Sequence, residues 1–114
     1  MYFTTTVRAW QAEENVEGVF EPLAATWAFR FEAPAFAEPL SDGAISTLYG
    51  DMRVEGMRFW LDAGHAEIGY RWLVKDLSTG FFYLVEPAAP RVYRDGLRHI
   101  EANARRLAIG PAGL

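Results

Sequence analysis

The sequence predicts an α+β domain, in which an antiparallel sheet of four to five strands packs against one long central helix and a C-terminal helix. Three observations lead to this fold class. Apolar and polar residues alternate along several short segments, as they do in half-buried strands. Two longer segments carry apolar residues at helical spacing. No linker, repeat or low-complexity tract divides the chain, so we expect a single domain over residues 1–114.

The first third of the chain has the composition of strands. Residues 2–10 are mostly β-branched or aromatic and predict a first strand. Residues 16–21 alternate and suit a short second strand that pairs back as a hairpin. Residues 24–32 predict a half-buried antiparallel strand, because three aromatic residues recur at every second position. These three residues are expected to share one face: Trp27, Phe29 and Phe31.

Residues 41–64 predict the long central helix. Ser41 can accept a hydrogen bond from the first free backbone amides, and Gly64 can end the helix in a left-handed conformation. At 100° per residue, the apolar side chains between them fall within about 120°, the width of a core-facing stripe. The members of this stripe are Ile45, Leu48, Tyr49, Met52, Gly56, Phe59, Trp60 and Ala63.

A second apolar stripe lies beside the core-facing one on the same predicted helix. It consists of Val54, Met57 and Leu61. One interpretation is that the sheet or a loop curls over these side chains. The other is that they form an interface with a partner or a second subunit.

The clearest hairpin signal lies between residues 68–76 and 81–86. Both segments are rich in aromatic and β-branched residues, and turn-forming residues separate them. Asp76 can accept a hydrogen bond from the backbone amide two residues on, and Gly80 can take the positive φ that closes a short loop. We therefore expect two adjacent antiparallel strands.

The final helix is predicted from Pro90, which suits a first helical position, to Gly110, which is followed by proline. The element order is then β(β)βαββα. Four arginines fall within about 60° of one another on this helix. Clustered guanidinium groups bind phosphates or acidic proteins, but such a stripe is also typical of a solvated face. The four are Arg91, Arg94, Arg98 and Arg105.

The composition excludes several classes of function. The chain contains no cysteine, so disulfides, thiolate zinc sites and cysteine nucleophiles are excluded and a cytoplasmic address is expected. Its two histidines lack metal-ligand spacing and there is no phosphate-binding loop, so we expect neither metal nor cofactor. A net charge of -4 disfavours nucleic acid. We see no leader and no apolar stretch of membrane-spanning length.

Candidate catalytic residues are few. His65 follows the predicted helix end, where a positive imidazole also suits the helix terminus. Residues 49–64 resemble the central helix of hot-dog thioesterases, a likeness that covers sixteen residues of the 114. In that family a carboxylate just before or on this helix acts in thioester hydrolysis, so the resemblance implies that role for Asp42 or Glu55. The chain departs from the family pattern, because some forty residues precede the helix where the family has a single strand.

Two hypotheses of different class therefore remain. The first is a nonenzymatic protein-binding module, of the inhibitor, immunity or adaptor kind, that acts through an aromatic and apolar surface. Its partner is expected to be another protein, and a homodimer is the alternative arrangement. The second hypothesis is a small enzyme or ligand carrier with an aromatic pocket between sheet and helix, in which Glu55, Asp42 or His65 acts as acid or base. The unusual aromatic content of 15% suits either hypothesis.

Overall fold

The structure is a computed structural model that describes residues 3–13, 21–40, 56–62, 68–85, 91–93 and 99–114. The regular secondary structure in these ranges consists of β-strands, and these ranges contain no helix. The seven strands are β1 (Thr5–Ala12), β2 (Trp27–Pro39), β3 (Gly56–Asp62), β4 (Leu73–Asp76), β5 (Phe82–Val85), β6 (Arg91–Tyr93) and β7 (His99–Arg106).

Six of these strands form a closed antiparallel barrel. Around the barrel the order is β3, β2, β1, β4, β5 and β7, and β7 pairs with β3 to close it. The short strand β6 pairs with the first residues of β7, on the edge opposite β3. Closure matters because it leaves fewer strand edges with unpaired backbone groups.

The core is the interior of the barrel. Side chains alternate between inside and outside along each strand, so every second residue points inward. Small residues lie beside large ones: on neighbouring strands Phe59 is opposite Ala37 and Ala102, and its ring meets Tyr83 edge-on at 5.2 Å. Such pairing fills a narrow barrel without leaving a channel. The buried cluster comprises Val7, Ala9, Ala35, Phe59, Leu61, Ile68, Val74, Tyr83, Val85, Ile100, Ala102 and Ala104.

The predicted central helix is wrong where it can be compared with the structure. Residues 56–62 form β3, and residues 41–55 and 63–64 lie outside the described residues. In β3, Phe59 and Leu61 are buried inside the barrel, while Arg58 on the opposite face reaches polar partners. A run of seven residues satisfies both the helical and the strand period, so its pattern alone did not decide between them.

The predicted C-terminal helix is also wrong. Its described residues form β6 and β7, while residues 94–98 lie outside them. Ile100, Ala102 and Ala104 point into the barrel, in strict alternation. Alanine and arginine favour helix locally, but pairing with β3 and β5 overrides that preference. The described part of the chain is therefore all-β, not α+β, and no helix in it is long and apolar enough to cross a membrane.

The strands predicted for the first third of the chain correspond to β1 and β2. The second strand expected at residues 16–21 falls outside the described ranges. β2 is longer than the strand predicted for residues 24–32 and continues to Pro39. Pro34 lies within it, but β3 pairs with β2 only from Ala35 onward. Proline is tolerated where a strand has one neighbour, because no second ladder needs its missing N–H.

The predicted hairpin is confirmed in β4 and β5. As expected, Asp76 Oδ1 accepts a hydrogen bond from the backbone N–H two residues later, that of Ser78, at 2.9 Å. Gly80 has a φ of 79°, and its N–H donates to the Asp76 carbonyl at 2.7 Å. This turn could be predicted because all of its determinants lie within five consecutive residues.

Residues 107–114 form an outer layer over β4 and β5. The N–H of Leu107 donates to the Phe82 carbonyl at 2.8 Å, and Lys75 Nζ donates to the Leu114 carbonyl at 3.3 Å. Leu73 and Leu84 point outward on the same face of β4 and β5 as Lys75 and Phe82, and they are nonetheless buried. The molecule thus has a second apolar layer outside the barrel.

Candidate functional site

Three aromatic rings form a connected surface on the outside of the barrel. Trp10 meets Phe29 edge-on with ring centroids 6.1 Å apart, and it meets Phe82 in a tilted arrangement at 6.2 Å. These distances are typical of favourable aromatic pairs. We call Phe29, Trp10 and Phe82 the aromatic face.

A β-bulge directs Phe29 outward. Between Ala9 and Trp10 the partner position on β2 moves by two residues, from Phe31 to Phe29, so Arg30 is the extra residue. Phe31 therefore packs against the core with Ala9, whereas Phe29 joins Trp10 outside. The expectation that Trp27, Phe29 and Phe31 share one face is wrong for this reason, since a bulge re-aims the side chains beyond it.

Phe29 is the exposed residue at the edge of the apolar layer outside the barrel, to which Trp10 also belongs. Trp10 is almost fully buried, but Phe29 beside it is 57% exposed. A further apolar side chain, Leu23, is exposed in the turn before β2. Trp27 anchors that turn by donating from Nε1 to the Pro22 carbonyl at 3.0 Å. Apolar area continuous with a buried layer is typical of an interaction surface.

Basic side chains border the aromatic face. Lys75 Nζ lies 5.3 Å from the centre of the Phe82 ring, within the range of a cation–π contact. Arg30 Nε donates to Gln11 Oε1 at 3.0 Å, and Arg8 pairs with Glu32 at 2.7 Å. Both arginines are exposed, so their remaining N–H groups can meet a partner.

A separate groove of about 760 Å³ lies on the outer side of β1, next to the β4–β5 turn. Its walls carry four hydroxyl groups and one ion pair, with apolar side chains between them. We call it the hydroxyl groove. It is lined by Phe3, Thr4, Thr5, Thr6, Arg8, Glu32, Pro34, Leu77 and Ser78.

Asp76 is buried beside the hydroxyl groove and positions two of its residues, Thr5 and Ser78. It is 3% exposed, and its Oδ1 accepts hydrogen bonds from the Thr5 hydroxyl, the Ser78 hydroxyl and the Ser78 N–H. A buried carboxylate needs such donors, because desolvation of an unpaired charge is costly. The carboxylate thus ties β1 to the β4–β5 turn.

We expect Asp76→Asn to lower the free energy of unfolding by about 1 kcal/mol, because charged acceptors form stronger hydrogen bonds than neutral ones. The matched control is Glu32→Gln, which removes one charge from an exposed ion pair and should cost less than about 0.5 kcal/mol. Urea denaturation of both variants measures the difference. Equal losses would contradict the role given to Asp76.

Arg58 organises a polar network on another outer face, where β3 meets β2 and β7. Its guanidinium bonds Glu38 at 3.1 Å, Glu101 at 2.9 Å and Asn103 at 3.2 Å. Trp60 Nε1 also donates to Glu38, at 3.1 Å. The network links the strands on both sides of β3, so we assign it to holding the barrel closed.

The two described residues of the apolar stripe predicted as a partner surface belong to the core of the barrel. Leu61 is fully buried inside the barrel, and Met57 packs against the same core. Val54 lies outside the described residues. The stripe was derived from a helical wheel, whereas in a strand residues 57 and 61 point to the same, inward side.

The arginine stripe is not assembled on a helix either. Arg91 belongs to β6, in register with Glu101, and Arg105 lies four residues further along β7. At roughly 3.3 Å per residue this separates the two by about 13 Å along the sheet. Arg94 and Arg98 lie outside the described residues.

The candidate catalytic residues Asp42, Glu55 and His65 all lie outside the described ranges. The helix on which the likeness to hot-dog thioesterases depends is replaced by β3 over residues 56–62. In the part of the chain that the structure describes, no group of three acidic or histidine side chains could hold a metal ion.

Both surfaces described above were missed from the sequence. No local sequence pattern indicates that Arg30 is the extra residue of a bulge, so the alternation placed Phe29 on the same face as Phe31. Thr4, Thr5 and Thr6 were interpreted only as strand formers. These hydroxyl groups form a polar groove only because the pairing of β1 with β4 brings Asp76 and Ser78 beside them.

Comparison with known proteins supports the fold alone. No family model and no curated protein matches this chain. Among solved structures, the solution structure of protein SF1141 from Shigella flexneri 2a is similar, with a TM-score of 0.65. The match covers 93% of this chain and 94% of that protein at 13% sequence identity.

Proposed function

We propose that this protein is a nonenzymatic binding module that docks another protein against the aromatic face. The observation that carries the proposal is the exposure of Phe29, which is 57% although its neighbour Trp10 is buried. Protein interfaces concentrate binding energy in a few aromatic and arginine residues at the centre of the contact. Phe29 and the nearby Arg8 and Arg30 offer that combination.

The bulge supports this function. An exposed phenylalanine on a strand gains little for folding, because its ring stays in contact with water. Bulges occur frequently where a strand must re-aim a side chain. Here the extra residue, Arg30, moves Phe29 out of the inward pattern that Phe31 follows. The exposure is therefore built into the backbone and does not depend on a side-chain rotamer.

The alternative of an aromatic pocket between sheet and helix has no geometric basis in the described residues. They contain no helix, and the barrel interior is filled by side chains from all six strands. A small-ligand role would need another cavity, and the hydroxyl groove offers one.

We further propose a cytoplasmic location. The chain contains no cysteine and so has no disulfide to stabilise it outside the cell. Fractionation of cells that express the chain with a small epitope tag tests the location, and recovery from the periplasm or medium would argue against it.

The binding proposal is tested by replacing Phe29 with alanine. The purified chain, tagged and used as bait in lysate of its own source, first identifies a partner, and the affinity is then measured with the purified pair. We expect Phe29→Ala to weaken this complex at least tenfold, because truncation of a central aromatic anchor costs more than about 1.4 kcal/mol. Its free energy of unfolding should change by less than about 1 kcal/mol.

Phe81→Ala is the matched control. Phe81 is also exposed, but it takes no part in the two ring contacts that define the aromatic face, and its ring instead stacks under Arg106. Its replacement should leave the affinity unchanged. Equal affinity of the Phe29→Ala variant and the parent chain would refute this surface, and loss of self-association in sedimentation would identify a second copy as the partner.

A further inference from the structure

We infer that the hydroxyl groove binds a small, neutral, polyhydroxylated ligand, with a saccharide unit as the chemical class. The inference does not depend on the proposed protein partner. It rests on the directions in which the hydroxyl groups of the groove can donate and accept, on the balance of its charges, and on its apolar margins.

The hydroxyl groups of the groove are oriented by the protein. Ser78 Oγ donates its proton to Asp76 Oδ1 at 2.8 Å, and the Thr5 hydroxyl donates to the same oxygen. Their free lone pairs can therefore only accept from a ligand. Thr4 is the reverse case, because its oxygen accepts the Ala37 N–H at 3.3 Å and its proton stays free to donate.

Thr6 also lines the groove. Its hydroxyl makes no hydrogen bond to another residue that the structure describes, so it can either donate or accept. A sugar hydroxyl needs such a mixture, since each one is both donor and acceptor. A groove that offered only donors would instead favour an anion.

The charges of the side chains that line the groove cancel. Arg8 and Glu32 form an ion pair of 2.7 Å, and both side chains are 46% exposed. Because this contact uses Arg8 Nε and Glu32 Oε1, the other N–H groups and the second oxygen remain available. A donor and an acceptor side by side match two adjacent hydroxyl groups. Because the two charges offset each other, the pair presents little net charge to attract an anion or a cation.

Apolar groups line the rest of the groove. Phe3 is 46% exposed, and Pro34 and Leu77 contribute aliphatic surface. The C–H face of a sugar ring packs against such groups while its edge forms hydrogen bonds. The volume of about 760 Å³ lies within the range of small-ligand sites. Because the groove is open, we expect dissociation constants of roughly millimolar order.

The test is an amide NMR titration of the complete chain with maltose, cellobiose and lactose, and with inorganic phosphate and gluconate as charged probes. We expect saturable shifts at Thr4, Thr6 and Ser78 with at least one disaccharide and weaker responses to both anions. No saturable shift with any disaccharide, or tighter binding of phosphate or gluconate, would overturn the inference.

Thr6→Val provides the second readout, because it removes one hydroxyl with almost no change in shape. We expect about fivefold weaker disaccharide binding, the effect of one lost hydrogen bond. Thr26→Val is the matched control, since Thr26 is exposed outside the groove and its replacement should leave binding unchanged. Thermal unfolding verifies that both variants fold. Equal affinities for the two variants would also overturn the inference.

Discussion

Replacing Leu61 with alanine should lower the free energy of unfolding by about 2–5 kcal/mol. Leu61 is fully buried inside the barrel, between β2 and β7, where Ala35 and Ile100 lie opposite it. The removed atoms leave a cavity that the closed barrel cannot fill without moving strands that pair on both sides. Urea denaturation, followed by tryptophan fluorescence, measures the loss.

Leu23→Ala is the matched control for this prediction. Leu23 is the same residue type but is 52% exposed, so its truncation should change stability by less than about 0.5 kcal/mol. If Leu61 lay on an uncovered helix surface, as one of the two interpretations of the helical wheel has it, the two variants would behave alike. Similar losses would therefore count against the strand placement of residues 56–62. For the same reason Leu61→Asp should unfold the protein instead of merely removing a partner surface.

Replacing Gly110 with alanine should cost about 1–3 kcal/mol. A Cβ at this position would stand 2.1 Å from Phe82 Cδ2 and 2.4 Å from Cε2, distances at which the outer segment or the ring must move. The effect is steric, because Gly110 is not among the described glycines with positive φ. It would show that residues 107–114 are held against the outer face of β5.

A double-mutant cycle separates this steric cause from other effects of the added methyl group. In a Phe82→Ala background the ring is absent, so the additional cost of Gly110→Ala should fall below about 0.5 kcal/mol. Thermal or urea unfolding of the four proteins gives the coupling. An unchanged cost in both backgrounds would show that the segment does not rest on the Phe82 ring.

The features that could be predicted from the sequence are those with local causes. The β4–β5 turn depends on Asp76 and Gly80, which act within five residues of chain. The strand composition of residues 2–10 and 24–32 likewise follows from their own β-branched and aromatic side chains. The aromatic content suited a packed core as well as an exposed apolar surface, and it did not single out Phe29.

The two candidate sites could not be predicted, because each is assembled by strand pairing. The hydroxyl groove needs Asp76 of β4 beside Thr5 of β1, which are joined by a hydrogen bond across 71 residues of sequence. The aromatic face needs the bulge in β2 opposite β1, which brings Phe29 beside Trp10. No local sequence pattern predicts either arrangement, because both depend on the register of strand pairing.

The sequence by itself determined the strand composition of the first third of the chain, the turn at Asp76 and Gly80, and the exclusion of cysteine chemistry. Only the tertiary structure decided that residues 56–62 and 99–106 are strands. The alanines and arginines of residues 99–106 suit a helix, but β3 and β7 satisfy one another's backbone groups, from Gly56 opposite Arg105 to Asp62 opposite His99. Closing the barrel buries the alternate side chains of both strands, and that long-range gain exceeds the local preference for helix.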